Sequence, residues 1–354
     1  MKQNAVAAGQ EQDITIREII WQKTVIAHME NNKKQEDFFK VKQKVMWIGL
    51  IALLITSFLT GCSEKRQEPA PTVEGYRFAD ALGQEITVKD PRRVVALMGS
   101  FAQVWLEAGG ELTGVTDDVF DERGLNLPED VVTVGTYNSP NVEQIIACRP
   151  DLVLLSSETK EHVAIKDTLK QAGIPSAYFH VTYFEDYLNM LKTCTDITGR
   201  SDLYEKNGLE VKKQIDAIAA SHKDQISPTA LLLITYSGGA AAQDSKTMTG
   251  KMLKDLGCEN IADQNQSLLK EFNLESILKL DPDYIFVIPM GNDEELAEKN
   301  LRETVESSPV WSRLRAVKTG KYVMLPKEKF LYKPDSKWGE SYEYLSKILY
   351  GNQS

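Results

Sequence analysis

The chain has 354 residues, 42% of them hydrophobic, and a formal net charge of −10. That length admits two or three domains with substantial cores. The acidic balance argues against nucleic acid and against a polybasic membrane surface as partners, and no Lys/Arg-rich run follows residue 45. Four cysteines stand at 62, 148, 194 and 258, too far apart for a CxxC or zinc-ribbon spacing. The last three read as buried free thiols.

Lys40, Lys42 and Lys44 precede an apolar run from Val45 to Leu59. At about 15 residues it is shorter than the roughly 20 that a membrane span needs. A charged lead, a short apolar stretch and small residues before a cut describe a secretory signal, here over 40–61. Its ending, Leu59-Thr60-Gly61-Cys62, resembles a bacterial lipobox, which implies cleavage before Cys62 and diacylglycerol on its sulfur. Residues 62–75 then read as a polar, proline-containing tether. Residues 1–39 form an extension longer than such a signal requires, with Met29 as an alternative start.

In chain order, Arg77 to Val88 predicts a hairpin turning at Leu82-Gly83. A strand over 94–97 leads to Gly99-Ser100, which cap a helix over 101–108. A strand over 112–115 runs into a loop carrying Asp117, Asp118 and Asp121, and a strand over 131–134 follows. Residues 141–151, Asn-Val-Glu-Gln-Ile-Ile-Ala-Cys-Arg-Pro-Asp, precede the apolar residues 152–155. A helix over 161–172 and a strand from Pro175 to His180 come next. The longest helical stretch, 184–220, breaks near Gly199-Arg200; its second part carries Leu203, Val211, Ile215 and Ile218 on one side. A buried strand over 231–234 ends in an exit loop, Tyr236-Ser237-Gly238-Gly239. Helices near 248–256 and 273–280, a strand over 284–288, a helix over 296–306, a strand over 321–325 and a helix over 339–350 complete the chain.

Residues 273–283, Asn-Leu-Glu-Ser-Ile-Leu-Lys-Leu-Asp-Pro-Asp, repeat the pattern of 141–151. Asn141 and Asn273 suit an N-cap. Val142, Ile145 and Ile146, like Leu274, Ile277 and Leu278, make one apolar face. Pro150 and Pro282 end each helix, and the apolar run beyond each suits a strand covered on both faces. The fold expected is α/β: two similar parallel-sheet lobes, 76–201 and 223–354, with the helix over 202–222 between them as the candidate connector. Glu143 and Glu275 open equivalent helices and gain from the helix dipole. As a matched pair they suggest a shared outside role on a two-fold partner.

Ligands of open α/β sheets sit beyond the carboxyl ends of the strands. Those ends carry Ser100 and Phe101, Tyr137 and Asn138, Ser156 and Ser157, and Tyr183. In the second lobe they carry Tyr236 and Ser237, Met290 and Asn292, and a late loop with Tyr332 and Trp338. Rings interleaved with hydroxyl and amide groups suit a bulky, partly apolar ligand. A bare metal ion would need a cluster, and only His162, His180 and His222 follow the tether. His162 opens a helix and His222 follows the connector, positions that favour solvated rings, and His180 ends a strand. No metal site and no resident cofactor are expected.

The chain resembles the solute-binding lipoproteins of bacterial ABC importers for iron chelates, haem and cobalamin. The resemblance is carried by Phe78-Ala79-Asp80-Ala81-Leu82-Gly83-Gln84-Glu85-Ile86-Thr87-Val88, by Pro91-Arg92-Arg93-Val94-Val95-Ala96-Leu97, by both repeats, and by the segment from Pro309-Val310-Trp311 to Thr319-Gly320-Lys321. It implies that the single long helix, 202–222, bridges the two lobes, with a ligand cleft between them. It implies a lipid-anchored, extracytoplasmic, monomeric receptor. Such a receptor captures a metal chelate or corrinoid (ferric siderophore, haem or cobalamin). It then delivers it to a permease dimer with ATPase subunits. It also implies that Glu143 and Glu275 meet arginines on that dimer, and that the rigid connector allows only small lobe movements. A sensor lipoprotein without a permease, or a two-lobed extracellular enzyme, is the alternative. No HExxH, GxSxG, GxGxxG or Walker loop supports an enzyme.

Overall fold

A computed structural model describes residues 75–351, apart from 237, 292 and 293. Cys62 and the export segment, Ser237 and Asn292 therefore lie outside the described residues. The first element is an antiparallel hairpin of β1 (Tyr76–Ala79) and β2 (Glu85–Val88). The Asp80 carboxylate sets its turn by accepting the Leu82 and Gln84 amides at 3.0 and 2.8 Å, an aspartate turn of the usual kind.

The first lobe holds β3 (Val94–Ala96), β4 (Leu112–Val115), β5 (Val132–Thr133), the short hairpin strands β6 (Gly135–Thr136) and β7 (Ser139–Pro140), β8 (Leu152–Ser156) and β9 (Ser176–Phe179). Its parallel sheet has the order β5-β4-β3-β8-β9. The second lobe holds β10 (Thr229–Tyr236), β11 (Gly239–Gln243), β12 (Glu259–Asn260), β13 (Tyr284–Pro289) and β14 (Tyr322–Met324), in the order β11-β10-β13-β14. β12 pairs with the start of β10, and β11 with its end. β11 is antiparallel, so the expected exit loop is instead a hairpin returning along the edge. Gly-Ala-Ala-Ala-Gln has weak strand propensity, and pairing to β10 overrides it.

Alternation along the central strands decides which core each residue joins. Val94 and Ala96 face one core and Val95 and Leu97 another. Leu232 and Phe286 join the first core, whereas Leu231, Leu233, Ile285 and Val287 form a third. The apolar faces of the two repeat helices, through Ile145 and Ile277, cover the outer cores. The remaining core is shared by the lobes: it runs from Val94 and Phe101 through Tyr187, Val211 and Ile215 to Phe286, Trp338 and Tyr342.

Between the sheets the chain passes through the helix Phe184–Thr198, capped by Gly199 at φ 73°, a left-handed geometry that glycine takes without cost. A continuous helical run over 201–220 follows, with a π turn at Glu205–Leu209. Asn207 braces it against the first lobe, accepting from the Tyr187 hydroxyl at 2.9 Å and donating to the Glu107 carbonyl at 2.8 Å. The terminal helix Trp338–Tyr350 packs along its other side. There Gly339 admits Gln214, because a Cβ would meet its Oε1 at 2.1 Å. Among the described residues no helix is long and apolar enough to cross a membrane.

Candidate ligand cleft

β3 leads through Met98 into the helix Gly99–Glu107. Its N-cap residue, Met98, makes no side-chain cap bond; instead the Gly99 amide donates to the Asp118 carboxylate at 2.6 Å, so a distant side chain caps the helix. Asp118 belongs to a short helix, Asp118–Asp121, where the sequence suggested a loop. The Ser100 hydroxyl and the second Asp118 oxygen are buried and have no protein partner, and both residues line a cavity of about 490 Å³. The positive end of the helix dipole therefore lies at that cavity.

Arg123 and Lys333 bring full charges to the same place. Arg123 is 8% exposed; it pairs with the buried Asp335 carboxylate at 3.0 Å and also donates to the Lys333 carbonyl. The Lys333 ammonium lies 3.8 Å from the Met98 sulfur. Burial holds the Lys333 ammonium below its ordinary pKa, with Asp335 acting in the opposite direction. Burial pushes the Asp335 carboxyl up to about 8, Glu107 adding to the rise and Arg123 and Lys333 opposing it. Burial, aided by Asp118, also raises Glu122. Glu107 accepts from the Ser336 hydroxyl at 2.6 Å, so residues 333–336 are strapped to the first lobe beneath the cavity.

Five of the expected residues meet around this cavity: Ser100, Tyr137, Asn138, Met290 and Tyr332. Met98, Asp118, Glu122, Arg123, Gly291, Leu331 and Lys333 complete its lining. Tyr137 and Met290 are 40% and 43% exposed, so the pocket opens to solvent between a ring and a thioether.

The other expected positions lie elsewhere. Phe101 is 1% exposed and packs edge-on against Phe179. One residue on from Ser100 the helix has turned by about 100°, which carries that ring into the shared core. Trp338 is equally buried, edge-on against Phe184. The Ser156 hydroxyl accepts the Glu158 amide at 3.1 Å, and the Ser157 hydroxyl donates to the Phe179 carbonyl at 3.3 Å. Both serines hold the turn after β8. Tyr183 donates to the Lys246 carbonyl at 2.8 Å, a bond from one lobe to the other away from the cavity lining. Tyr236 ends β10, partly exposed and outside the lining.

Two histidines differ from expectation. His162 has no exposed surface, and His222 is buried against the Tyr350 ring with a 2.7 Å bond to the Ser346 hydroxyl. Both were assigned to solvent because they flank helices, yet tertiary partners enclose them. His180 remains exposed beside Glu158. Cys148, Cys194 and Cys258 are free and buried.

Arg123 and Lys333 escaped the sequence reading because charged runs such as Asp121-Glu122-Arg123 normally mark solvated surface. A usable signal was present in Lys333-Pro334-Asp335, where a charged pair flanks proline next to the aromatic residues already singled out.

At the far ends of the strands the repeats are built alike. Asn141 and Asn273 accept the Gln144 and Ser276 amides at 3.1 and 2.9 Å, as helix N-caps. Glu143 and Glu275 are exposed. Arg149 and Asp281 precede the prolines at φ 49° and 40°. Asp151 then accepts the Arg92 and Arg93 amides at 2.8 and 3.0 Å. Asp283 accepts the Thr229 amide and hydroxyl at 2.9 and 2.8 Å.

This architecture occurs in known proteins. The chain is 24% identical over 283 residues to the Fe(3+)-citrate-binding protein YfmC of Bacillus subtilis, covering 78% of this chain and 86% of that one. An ABC transporter substrate-binding protein from Listeria monocytogenes EGD-e superposes with a TM-score of 0.60 at 20% identity, over 75% of this chain and all of the other. The S. aureus IsdE structure complexed with heme gives a TM-score of 0.60 at 19% identity, over 73% and 98%. These structures share the two-lobed fold. With a family model matching over residues 94–329 as well, the chain belongs to the periplasmic binding protein family.

Proposed function

We propose that this chain is the lipid-anchored receptor of an ABC importer and that its ligand is an anionic ferric chelate. The observation that carries the ligand class is the convergence of Lys333, Arg123 and the N-terminal end of the Gly99–Glu107 helix on one cavity. A partly buried ammonium whose neighbour is a thioether gains most from a ligand carrying negative charge. The name of the relative YfmC, an Fe(3+)-citrate-binding protein, agrees with that chemistry. Names of relatives describe binding rather than turnover, which supports capture and delivery over catalysis. Cys62 supplies the anchor, residues 62–75 the tether, and Glu143 and Glu275 the contacts to the permease dimer. The receptor works as a monomer on the extracytoplasmic face, with ATPase subunits driving release.

Haem is the second reading, favoured by the Met98 and Met290 side chains at the cavity, since a thioether is an axial ligand for haem iron. A neutral corrinoid ranks last, as it gains nothing from the Lys333 and Arg123 charges at the cavity. The test is a titration of full-length protein in detergent with ferric citrate, haemin and cyanocobalamin, read by absorbance and tryptophan fluorescence. We expect ferric citrate to bind, and Lys333→Gln to weaken it at least tenfold. Preferred binding of cyanocobalamin, or an unchanged ferric citrate titration in Lys333→Gln, would overturn the anionic reading. A haem Soret band shifted in wild type and lost in Met98→Ala would favour the second reading.

A further inference from the structure

Tyr137 and Asn138 reach the cavity from the tip of the β6–β7 hairpin, whose strands are only two residues long. An isolated hairpin of that size has little stability of its own. Its base is fixed by Gly135 at φ 98°, where a Cβ would lie 2.6 Å from the Ser139 carbonyl oxygen. Within the tip, the Thr136 hydroxyl donates to the Asn138 side chain at 2.7 Å. The tip is tied to the lobe by His162, from the helix Lys160–Ala164. Its Nε2 lies 2.7 Å from the Tyr137 carbonyl oxygen, and its Nδ1 lies 3.0 Å from the Ser156 amide.

These two contacts determine the ring's protonation. A backbone amide can only donate, so Nδ1 must be a lone-pair acceptor. A backbone carbonyl can only accept, so Nε2 must carry the hydrogen. The ring is therefore neutral and in one tautomer. Burial favours this state; the Tyr137 carbonyl, then Asp118 from the cavity wall, Glu161 on the same helix and the Leu97 carbonyl oppose it. The Tyr178 hydroxyl donates to the His162 carbonyl at 3.2 Å and fixes the helix from the β9 side.

We propose that His162 is a positioning residue for ligand capture: its neutral, Nε2-protonated ring holds the Tyr137 carbonyl and so sets the Tyr137–Asn138 tip over the cleft. His162 touches no cavity surface; it acts through the backbone of a residue that does. Protonation would place an N–H at Nδ1 against the Ser156 N–H. Either the end of β8 or the tip must then move. The inference rests on the cleft being the ligand site, though not on which chelate occupies it.

The experiment uses the full-length protein in detergent. The first arm records long-range ¹H–¹⁵N correlations of labelled histidine in the wild type. The expected result is one neutral, Nε2-protonated ring that is absent from His162→Gln and resists protonation below the ordinary histidine range. A ring protonated on Nδ1 at neutral pH would overturn the proposal. The second arm compares two variants. Glutamine places its amide nitrogen near Nε2 and can keep the Tyr137 bond, whereas asparagine reaches only the Nδ1 position. Hydrogen exchange over 135–140 should therefore rise at least tenfold in His162→Asn and stay within threefold of wild type in His162→Gln. Ferric citrate affinity should follow the same order. Equal exchange in the two variants, both folded by circular dichroism, would overturn the proposal. Failure of the wild type to bind ferric citrate would count against the anionic-chelate reading alone, since tautomer and exchange decide the role of His162 without a ligand.

Discussion

At their outer ends β8 and β13 are matched. Each follows an asparagine-capped helix with an exposed glutamate, a residue at positive φ, a proline and a clamping aspartate. At their inner ends they share nothing. β8 runs into Ser156 and the His162 contact, and β13 into Met290 and Gly291 at the cavity. The outer ends solve the same local problem twice: turn a helix into a buried strand with every backbone group paired. The inner end of β13 lines the cavity directly, and that of β8 reaches it only through His162 and the Tyr137 carbonyl, so they have no reason to agree. On the proposed function, the matched ends would meet two copies of a partner and the unmatched ends would serve the ligand.

The largest effect should come from breaking the inner end. Arg123→Met leaves the buried Asp335 carboxylate without its ion-pair partner. Above the raised Asp335 pKa of about 8, where the carboxyl is charged, loss of one partner of the buried pair costs about 3–5 kcal/mol, to be read by urea unfolding at about pH 9. Arg123→Met with Asp335→Leu should recover most of that loss. A single variant costing under about 1 kcal/mol would mean that the pair holds nothing together.

Next is pH. Ionisation of Asp335 near its raised pKa of about 8, and loss of the Lys333 proton below its ordinary range, both make the cavity more negative as pH rises. Affinity for an anionic chelate should fall about tenfold between roughly pH 6.5 and 9, a change of about 1.4 kcal/mol. Asp335→Asn, titrated in parallel so that changes in the chelate cancel, should flatten the slope. An identical slope would assign it to other groups.

The outer ends allow a subtler comparison. Asp283 is the less exposed of the two clamps. Burial alone would raise its pKa, but the Thr229 amide and hydroxyl, with Arg315 and Lys321, hold it below the usual carboxylate range. Asp283→Asn should cost about 2 kcal/mol and Asp151→Asn about 1 kcal/mol, each losing charge-assisted hydrogen bonds. A depressed carboxyl stabilises above its unfolded pKa and stops doing so as pH falls through its folded one. The difference between wild type and Asp283→Asn should therefore shrink below about pH 4. Equal costs at the two clamps would remove burial as the cause of the difference.

The smallest effect on the isolated protein should come from Glu143→Gln and Glu275→Gln. Each loses at most about 0.5 kcal/mol of dipole interaction and leaves ligand affinity unchanged. Uptake in vesicles carrying the permease should nevertheless fall in each, and further in the double variant. Normal uptake in the double variant would remove both residues from docking.

This contrast also explains how far the sequence could be read. Outer ends are local: N-cap, apolar face, proline and aspartate lie within eleven residues, so both copies were visible in the chain. The connector followed from its place between the repeats, and the sheets from short strands alternating with helices. Inner ends are assembled from segments more than two hundred residues apart, as Arg123 and Asp335 show. Their signs and burial depend on neighbours that no window contains. The strand-end rule picked out Tyr137 and Met290, which line the cavity, because it concerns position along a sheet. It misplaced Phe101 and Trp338, because the direction of a helical side chain changes completely in two residues. The antiparallel β11 was missed because its pairing, rather than its composition, makes it a strand.

The Pro-Asp turns have a mechanical consequence. In each lobe the helix bearing the glutamate is joined, through a turn of only three or four residues, to a buried strand whose far end points toward the cavity side of the sheet. β8 spans five residues, about 16 Å at the usual strand rise, and both its ends are fastened by hydrogen bonds. In the proposed receptor each lobe would act as one arm of a pair of calipers joined by the helix over 201–220, with an exposed carboxylate at each tip. If the lobes turned on closing over a ligand, the gap between those tips would change. A two-fold partner with fixed arginines could gauge that gap, and so distinguish loaded receptor from empty, without ever touching the cleft.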